Sequence, residues 1–89
     1  MPTCQLTISI EEGLHARPAA KFVKLANQFP CEIWVEKDDE EINGKSIMGL
    51  MMLAAAEGSV ISVSAEGEKA ETALEKLAEL VDSGFEIDV

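Results

Sequence analysis

Between Cys4 and Ile10 apolar and polar residues alternate, with Cys4, Leu6, Ile8 and Ile10 on one side and Gln5, Thr7 and Ser9 on the other. A period of two marks a strand with one buried face. The rhythm then changes. Ala19, Phe22, Val23, Ala26 and Phe29 recur three or four apart, which predicts an amphipathic helix over Arg17–Asn27. Pro18 suits the first helical turn, where its missing N–H costs nothing, and Pro30 stops the run. Alternation returns in Cys31, Ile33 and Val35 and predicts a second strand. Asp38-Asp39 reads as a turn, Glu40–Ile42 as a short third strand, and Asn43-Gly44 as a break.

From Ser46 to Ala56 the chain is apolar almost all round: Ile47, Met48, Leu50, Met51, Met52 and Leu53. A serine before such a run is an N-cap signal. Gly49 weakens the helix, so a short one is expected, with Gly58 ending it. Val60–Ala65 reads as a fourth strand. Lys69–Ser83 reads as the longest helix, with Ala70, Ala73, Leu74, Leu77, Leu80 and Val81 inward and Gly84 as its stop. Residues 85–89 are left as a short C-terminal tail. The order strand, helix, strand, strand, helix, strand, helix predicts the α+β class, one mostly antiparallel sheet with helices on one face.

The length of 89 residues fits a single domain, 1–89, that works from its surface rather than from a deep cavity. The formal net charge of −10 repels nucleic-acid phosphates and anionic lipid, so no nucleic acid and no membrane surface is expected as a partner. Cys4 and Cys31 stand far apart with no CxxC and no Cys/His pair, so they are expected to be small hydrophobes in strands; no metal or cofactor is expected. The N-terminal residues lack a basic region followed by an apolar run, and no stretch is long enough for membrane insertion. A cytoplasmic, reducing setting is the expectation.

Charge becomes informative once placed on the elements. His15, the one histidine, sits in Gly13-Leu14-His15-Ala16-Arg17-Pro18, where the first loop runs into the first helix. A helix N-terminus offers unbonded N–H groups and the positive end of the macrodipole to an anion. Arg17 brings a permanent forked cation suited to phosphate oxygens, and a neutral imidazole is a nucleophile near pH 7. From Gly13 to Cys31 there is no acid, yet Arg17, Lys21 and Lys24 occur. From Ile42 to Ala56 there is again none, yet Lys45 occurs. In so acidic a chain, two such windows suit an anion or an acidic partner. Ser46 reads first as a plain helix cap; an exposed cap also tolerates added negative charge and so is a candidate phosphorylation site. Ile47, Met48, Met51 and Met52 exceed the needs of one inward face, which suggests an adaptable docking patch as well as core.

The run Gly13-Leu14-His15-Ala16-Arg17-Pro18-Ala19-Ala20 resembles the active-site motif of HPr, the histidine phosphocarrier family of the bacterial phosphoenolpyruvate-dependent phosphotransferase system. Asn43-Gly44-Lys45-Ser46-Ile47-Met48-Gly49-Leu50 resembles the family's second motif, around its regulatory serine. The resemblance covers nearly the whole chain. It implies an open-faced β-sandwich of four antiparallel strands with three helices on one face. It implies a carrier rather than an enzyme. His15 would take a phosphoryl group on Nδ1 from phosphorylated enzyme I and give it to an EIIA domain, and Arg17 would steady the phosphoryl oxygens. Ser46 would be the target of HPr kinase/phosphorylase. Ala20, Lys24, Ile47, Met48 and Met51 would lie on the partner-binding face of a monomer. Other readings stay open: a paralogue serving a regulatory or nitrogen-related branch, a small metal chaperone, for which paired thiolates on a loop are missing, and a purely regulatory binding protein, which would be expected to lack the histidine.

Overall fold

The computed structural model describes all 89 residues. Four strands, β1 (Thr3–Thr7), β2 (Glu32–Lys37), β3 (Glu40–Asn43) and β4 (Val60–Glu66), alternate with three helices, α1 (Ala16–Ala26), α2 (Ile47–Met52) and α3 (Ala70–Asp82). The strands form one sheet in the order β1-β4-β2-β3, antiparallel throughout. Register follows from the period of two, because a slip of one residue would turn every apolar side chain to water. Leu6 therefore lies opposite Ile61, Val63 opposite both Cys4 and Val35, and Ala65 opposite Ile33. The row Thr3, Ser64, Trp34, Asn43 runs across the other, open face.

The buried face of the sheet and the inward stripes of the helices merge in one core of 23 apolar residues. Every inward position expected of the longest helix is buried, from Ala70 to Val81. Phe22 and Ala26 of α1, Leu50 of α2 and Ile61 of β4 are completely enclosed. This is the four-stranded antiparallel open-faced sandwich with three helices that the resemblance implies.

Several boundaries differ from the sequence reading: β2 starts at Glu32, leaving Cys31 just outside the strand, and β3 and β4 each run one residue further, to Asn43 and Glu66. β1 ends at Thr7 rather than Ile10, although Ile8 continues to bond to the far side: its N–H donates to the Ser59 carbonyl and its carbonyl accepts from Gly58. α1 begins one residue early, with His15 as its N-cap. α3 begins at Ala70, since Lys69 adopts a left-handed conformation (φ +65°) at the cap. The second helix ends at Met52, not at Ala56, because Ala54 turns left-handed (φ +52°) and the chain leaves the helix there, not at Gly58. Asp38 and Asp39 both have positive φ, as the two-residue hairpin between β2 and β3 requires. The tail is also ordered by packing. Phe85 is buried, and its N–H donates to Leu80.

Candidate functional site

The loop entering α1 is shaped by Gly13, whose φ of +74° is open to glycine and costly for other residues. Its N–H donates to the Ile10 carbonyl at 3.0 Å, closing a turn with Glu11 and Glu12 at its centre. Leu14 is buried, and its N–H donates to the Ala55 carbonyl at 2.9 Å. This bond fastens the loop to the segment that follows α2. His15 comes next, extended (φ −81°, ψ −170°) and exposed, with its own N–H given to Gly13 and its carbonyl accepting from Ala19.

That backbone leaves anion donors beside the imidazole. The N–H groups of Ala16 and Arg17 have no partner in the chain, and Pro18 has none to offer. The His15 side chain caps nothing, and the first turn of α1 holds no acid. The Arg17 side chain is exposed and makes no hydrogen bond or ion pair within the chain. A nucleophilic ring, two free amides and a free guanidinium thus share the first turn of an eleven-residue helix. Such a turn stabilises charge on phosphate oxygens.

The two acid-free windows meet. His15 and Met51 line one open hollow of about 240 Å3, together with Glu12, Leu14 and Ala54–Ala56. Besides Met51 (43%), which lines the hollow, α2 exposes Met48 (74%), Met52 (68%) and Ile47 (40%), so this short helix is rich in exposed apolar side chains. Ala20 and Lys24 are exposed on α1. The cations divide in two. Lys24 is unengaged, like Arg17, whereas the Lys21 ammonium donates to the carbonyls of Phe85 (2.7 Å) and Ile87 (3.4 Å), and that of Lys45 donates to Phe29 (2.8 Å). The basic rim is therefore narrower than a count of basic residues suggests. Ser46 is the N-cap of α2, its Oγ accepting from the Gly49 N–H at 3.0 Å. Glu12 and the Ala54–Ala56 segment are site residues that sequence reasoning missed. Glu12 adjoins the His15 motif and was legible by proximity alone; the alanines carry no signal.

The family model described as "PTS HPr component phosphorylation site" matches residues 2–83. The chain belongs to the HPr family. HPr is a phosphocarrier of the phosphotransferase system, and relatives of that name are similar over most of the chain. Phosphocarrier protein HPr of Neisseria meningitidis serogroup A is 51% identical over 73 residues, 82% of each chain. The HPr-like protein Crh of Bacillus subtilis is 47% identical over 77 residues, 86% of this chain and 91% of Crh. Among solved structures, HPr-C-His from Thermoanaerobacter tengcongensis covers 100% of both chains at 45% identity, with a TM-score of 0.94. An HPr dimer from the same organism aligns over 98% of this chain and 100% of its own at 46% identity, with a TM-score of 0.78. HPr relatives thus include dimers, while this chain was expected to act as a monomer. No helix is long and apolar enough to cross a membrane.

Proposed function

We propose that this HPr chain carries a phosphoryl group on His15, receiving it from phosphorylated enzyme I and passing it to an EIIA domain in the cytoplasm. The observation that carries the reading is the first turn of α1, where His15 stands beside the unbonded amides of Ala16 and Arg17 and the unengaged Arg17 guanidinium. In the transfer step the Nδ1 lone pair forms the bond to phosphorus. The donor's bond to phosphorus breaks and its electron pair stays on the donor. Nε2 holds the ring proton. The amides, already fixed by the helix, take up charge on the phosphoryl oxygens without reorganising, and the unengaged Arg17 guanidinium closes on the same oxygens. Met48, Met51, Ile47 and Ala20 form the apolar centre of the docking face and Lys24 its basic edge.

Ser46 is the second modification site in this reading, as a substrate of HPr kinase/phosphorylase. A phosphoryl group there would add negative charge beside Ile47, Met48 and Met51 and repel an acidic partner across the interface.

The test is incubation of the full chain with phosphoenolpyruvate and enzyme I, followed by intact mass measurement. One added phosphoryl group, lost in acid, is expected on wild type and absent from His15→Ala. Arg17→Ala should keep the melting temperature and slow transfer at least about tenfold, some 1.4 kcal/mol of barrier. Acid-labile label persisting in His15→Ala would overturn the reading. Sedimentation during the same labelling decides between a monomer and a dimer.

A further inference from the structure

Glu12 stands where a phosphate site would be expected to exclude a carboxylate. It is exposed at the centre of the turn closed by the Gly13 N–H and the Ile10 carbonyl. It lines the hollow that contains His15, and it also lines the adjoining cleft of about 300 Å3 that contains Arg17. No other acid lines the His15 hollow. Glu11, its neighbour in the same turn, lines neither.

We propose, on the reading that His15 is the phosphoryl acceptor, that the Glu12 carboxylate destabilises the phosphorylated state and so raises the transfer potential of the group. Two effects act with the same sign. The carboxylate repels the dianionic phosphoryl group across the shared hollow. Across the adjoining cleft, which Glu86 also lines, its charge offsets part of the field of the unpaired Arg17 guanidinium, so less of that field is left for the arriving group. Both terms favour the free imidazole. The chemistry of the step is unchanged: the bond between phosphorus and Nδ1 forms as the donor's bond breaks, and the reverse occurs on donation. Only the relative free energy of the two ends shifts. A carrier gains from this, because a group held too tightly is not passed on. Glu12 is a positioning and tuning residue here, not the nucleophile.

The experiment lets two carriers compete. Unlabelled variant and 15N-labelled wild type are mixed in equal amounts with catalytic enzyme I and limiting phosphoenolpyruvate, so that enzyme I equilibrates the phosphoryl group between them, and intact mass gives the ratio. Glu12→Gln should hold roughly three to ten times more phosphoryl group than wild type, the size expected for one charge facing a dianion through solvent across a shared hollow. Glu12→Asp should restore near-equal sharing. The bias should shrink in ~0.5 M salt, which a purely steric or folding effect would not do. Glu11→Gln removes the same unit of charge one residue away and should share equally. Equal sharing by Glu12→Gln, or an equal bias from Glu11→Gln, overturns the proposal while leaving the carrier reading intact. A wild type that takes no label overturns the carrier reading and this proposal with it.

Discussion

The Leu14 N–H donates to the Ala55 carbonyl at 2.9 Å, and through this one bond the His15 loop is held against the chain leaving α2. The contact leaves no room for a side chain at the preceding residue. A Cβ on Gly13 would lie 2.8 Å from the same Ala55 oxygen and 3.1 Å from Ala56 Cα, both backbone atoms that move only with their segment. Gly13→Ala should therefore lose roughly 2–4 kcal/mol, combining left-handed strain with the clash. Gly58→Ala is the matched control, with a φ of +89° but open space around the Cβ, and should lose only about 1 kcal/mol. Urea midpoints of the two variants compare them directly. Equal losses would mean that the Ala55 contact yields easily.

The Ser46 cap has a stability role separable from its proposed modification. Its Oγ satisfies the Gly49 N–H at 3.0 Å. Ser46→Ala should lose about 1 kcal/mol, whereas Ser46→Asp keeps an acceptor at the cap and should stay near wild type. Calorimetric titration with enzyme I should then show Ser46→Asp binding more weakly despite its unchanged melting point. Equal affinity would remove the electrostatic argument for regulation at this serine.

What could be read from the chain and what could not follow from the range of the interactions. The inward stripe of α3 and the alternation of Ile33 and Val35 repeat within a few residues, so sequence displays them directly. The setting of His15 was equally local, because Pro18 and the apolar stripe mark where α1 starts. The short helix after Ser46 reads as stopping at Gly58 because alanine favours helix, while the demand that ends it at Met52 comes from Leu14, some forty residues away in the chain. Phe85 looked like the start of a tail because its burial depends on a left-handed turn (φ +62°) and on the side of α1, neither visible in a pattern. Lys21 and Lys45 count as free cations of the acid-free windows for the same reason, since their carbonyl acceptors are 64 and 16 residues distant.

Lys21 is the link between α1 and the C-terminal segment. Replacing it by methionine keeps the aliphatic stem and removes the donor to Phe85 and Ile87. The half-buried ammonium gives a charge-assisted bond, so Lys21→Met should lose about 1 kcal/mol. The loss should be local. Hydrogen exchange at the Phe85 amide, bonded to Leu80, should quicken more than exchange in β4. Uniform quickening across the chain would show that the segment is not a separate unit.

Alkaline pH should expose an effect of Cys4. Burial first, and the nearby Asp82 charge second, push its thiol above the usual 9.0. The sign follows from proton counts. Below the unfolded thiol's range both states keep the proton and the contribution of Cys4 is fully present. As pH rises through that range and then through the folded value, the unfolded chain releases its proton first, and stability is lost. Cys4→Ala should therefore flatten the decline in urea midpoint between about pH 8.5 and 10, and Asp82→Asn should flatten it partly. The chain has no tyrosine to complicate this window. An unchanged slope in Cys4→Ala would place the alkaline sensitivity elsewhere.

The last prediction separates cations that dock from cations that hold the fold. Lys24 and Lys45 lie in the two acid-free windows and are indistinguishable by charge or by neighbourhood in the chain. In the structure they differ. Lys24 sits exposed in the last turn of α1 with no hydrogen bond, while the Lys45 ammonium donates at 2.8 Å to the Phe29 carbonyl just beyond the end of that helix. Reversing the charge at Lys24 removes an attraction to an acidic partner and little else, apart from a few tenths of a kcal/mol from the helix dipole. Association with enzyme I should slow severalfold, with a melting temperature close to wild type. Reversing Lys45 replaces a donor by an acceptor facing a carbonyl oxygen, so stability should fall by about 1–3 kcal/mol, a shift of several degrees in a chain of this size. Lys69 and Lys76, both exposed and away from the hollow, should change neither quantity. Stopped-flow association rates and thermal melts of the four single Glu variants complete the comparison. If Lys24 and Lys76 slow association equally, net charge governs encounter and the free cation on α1 has no directed part in docking.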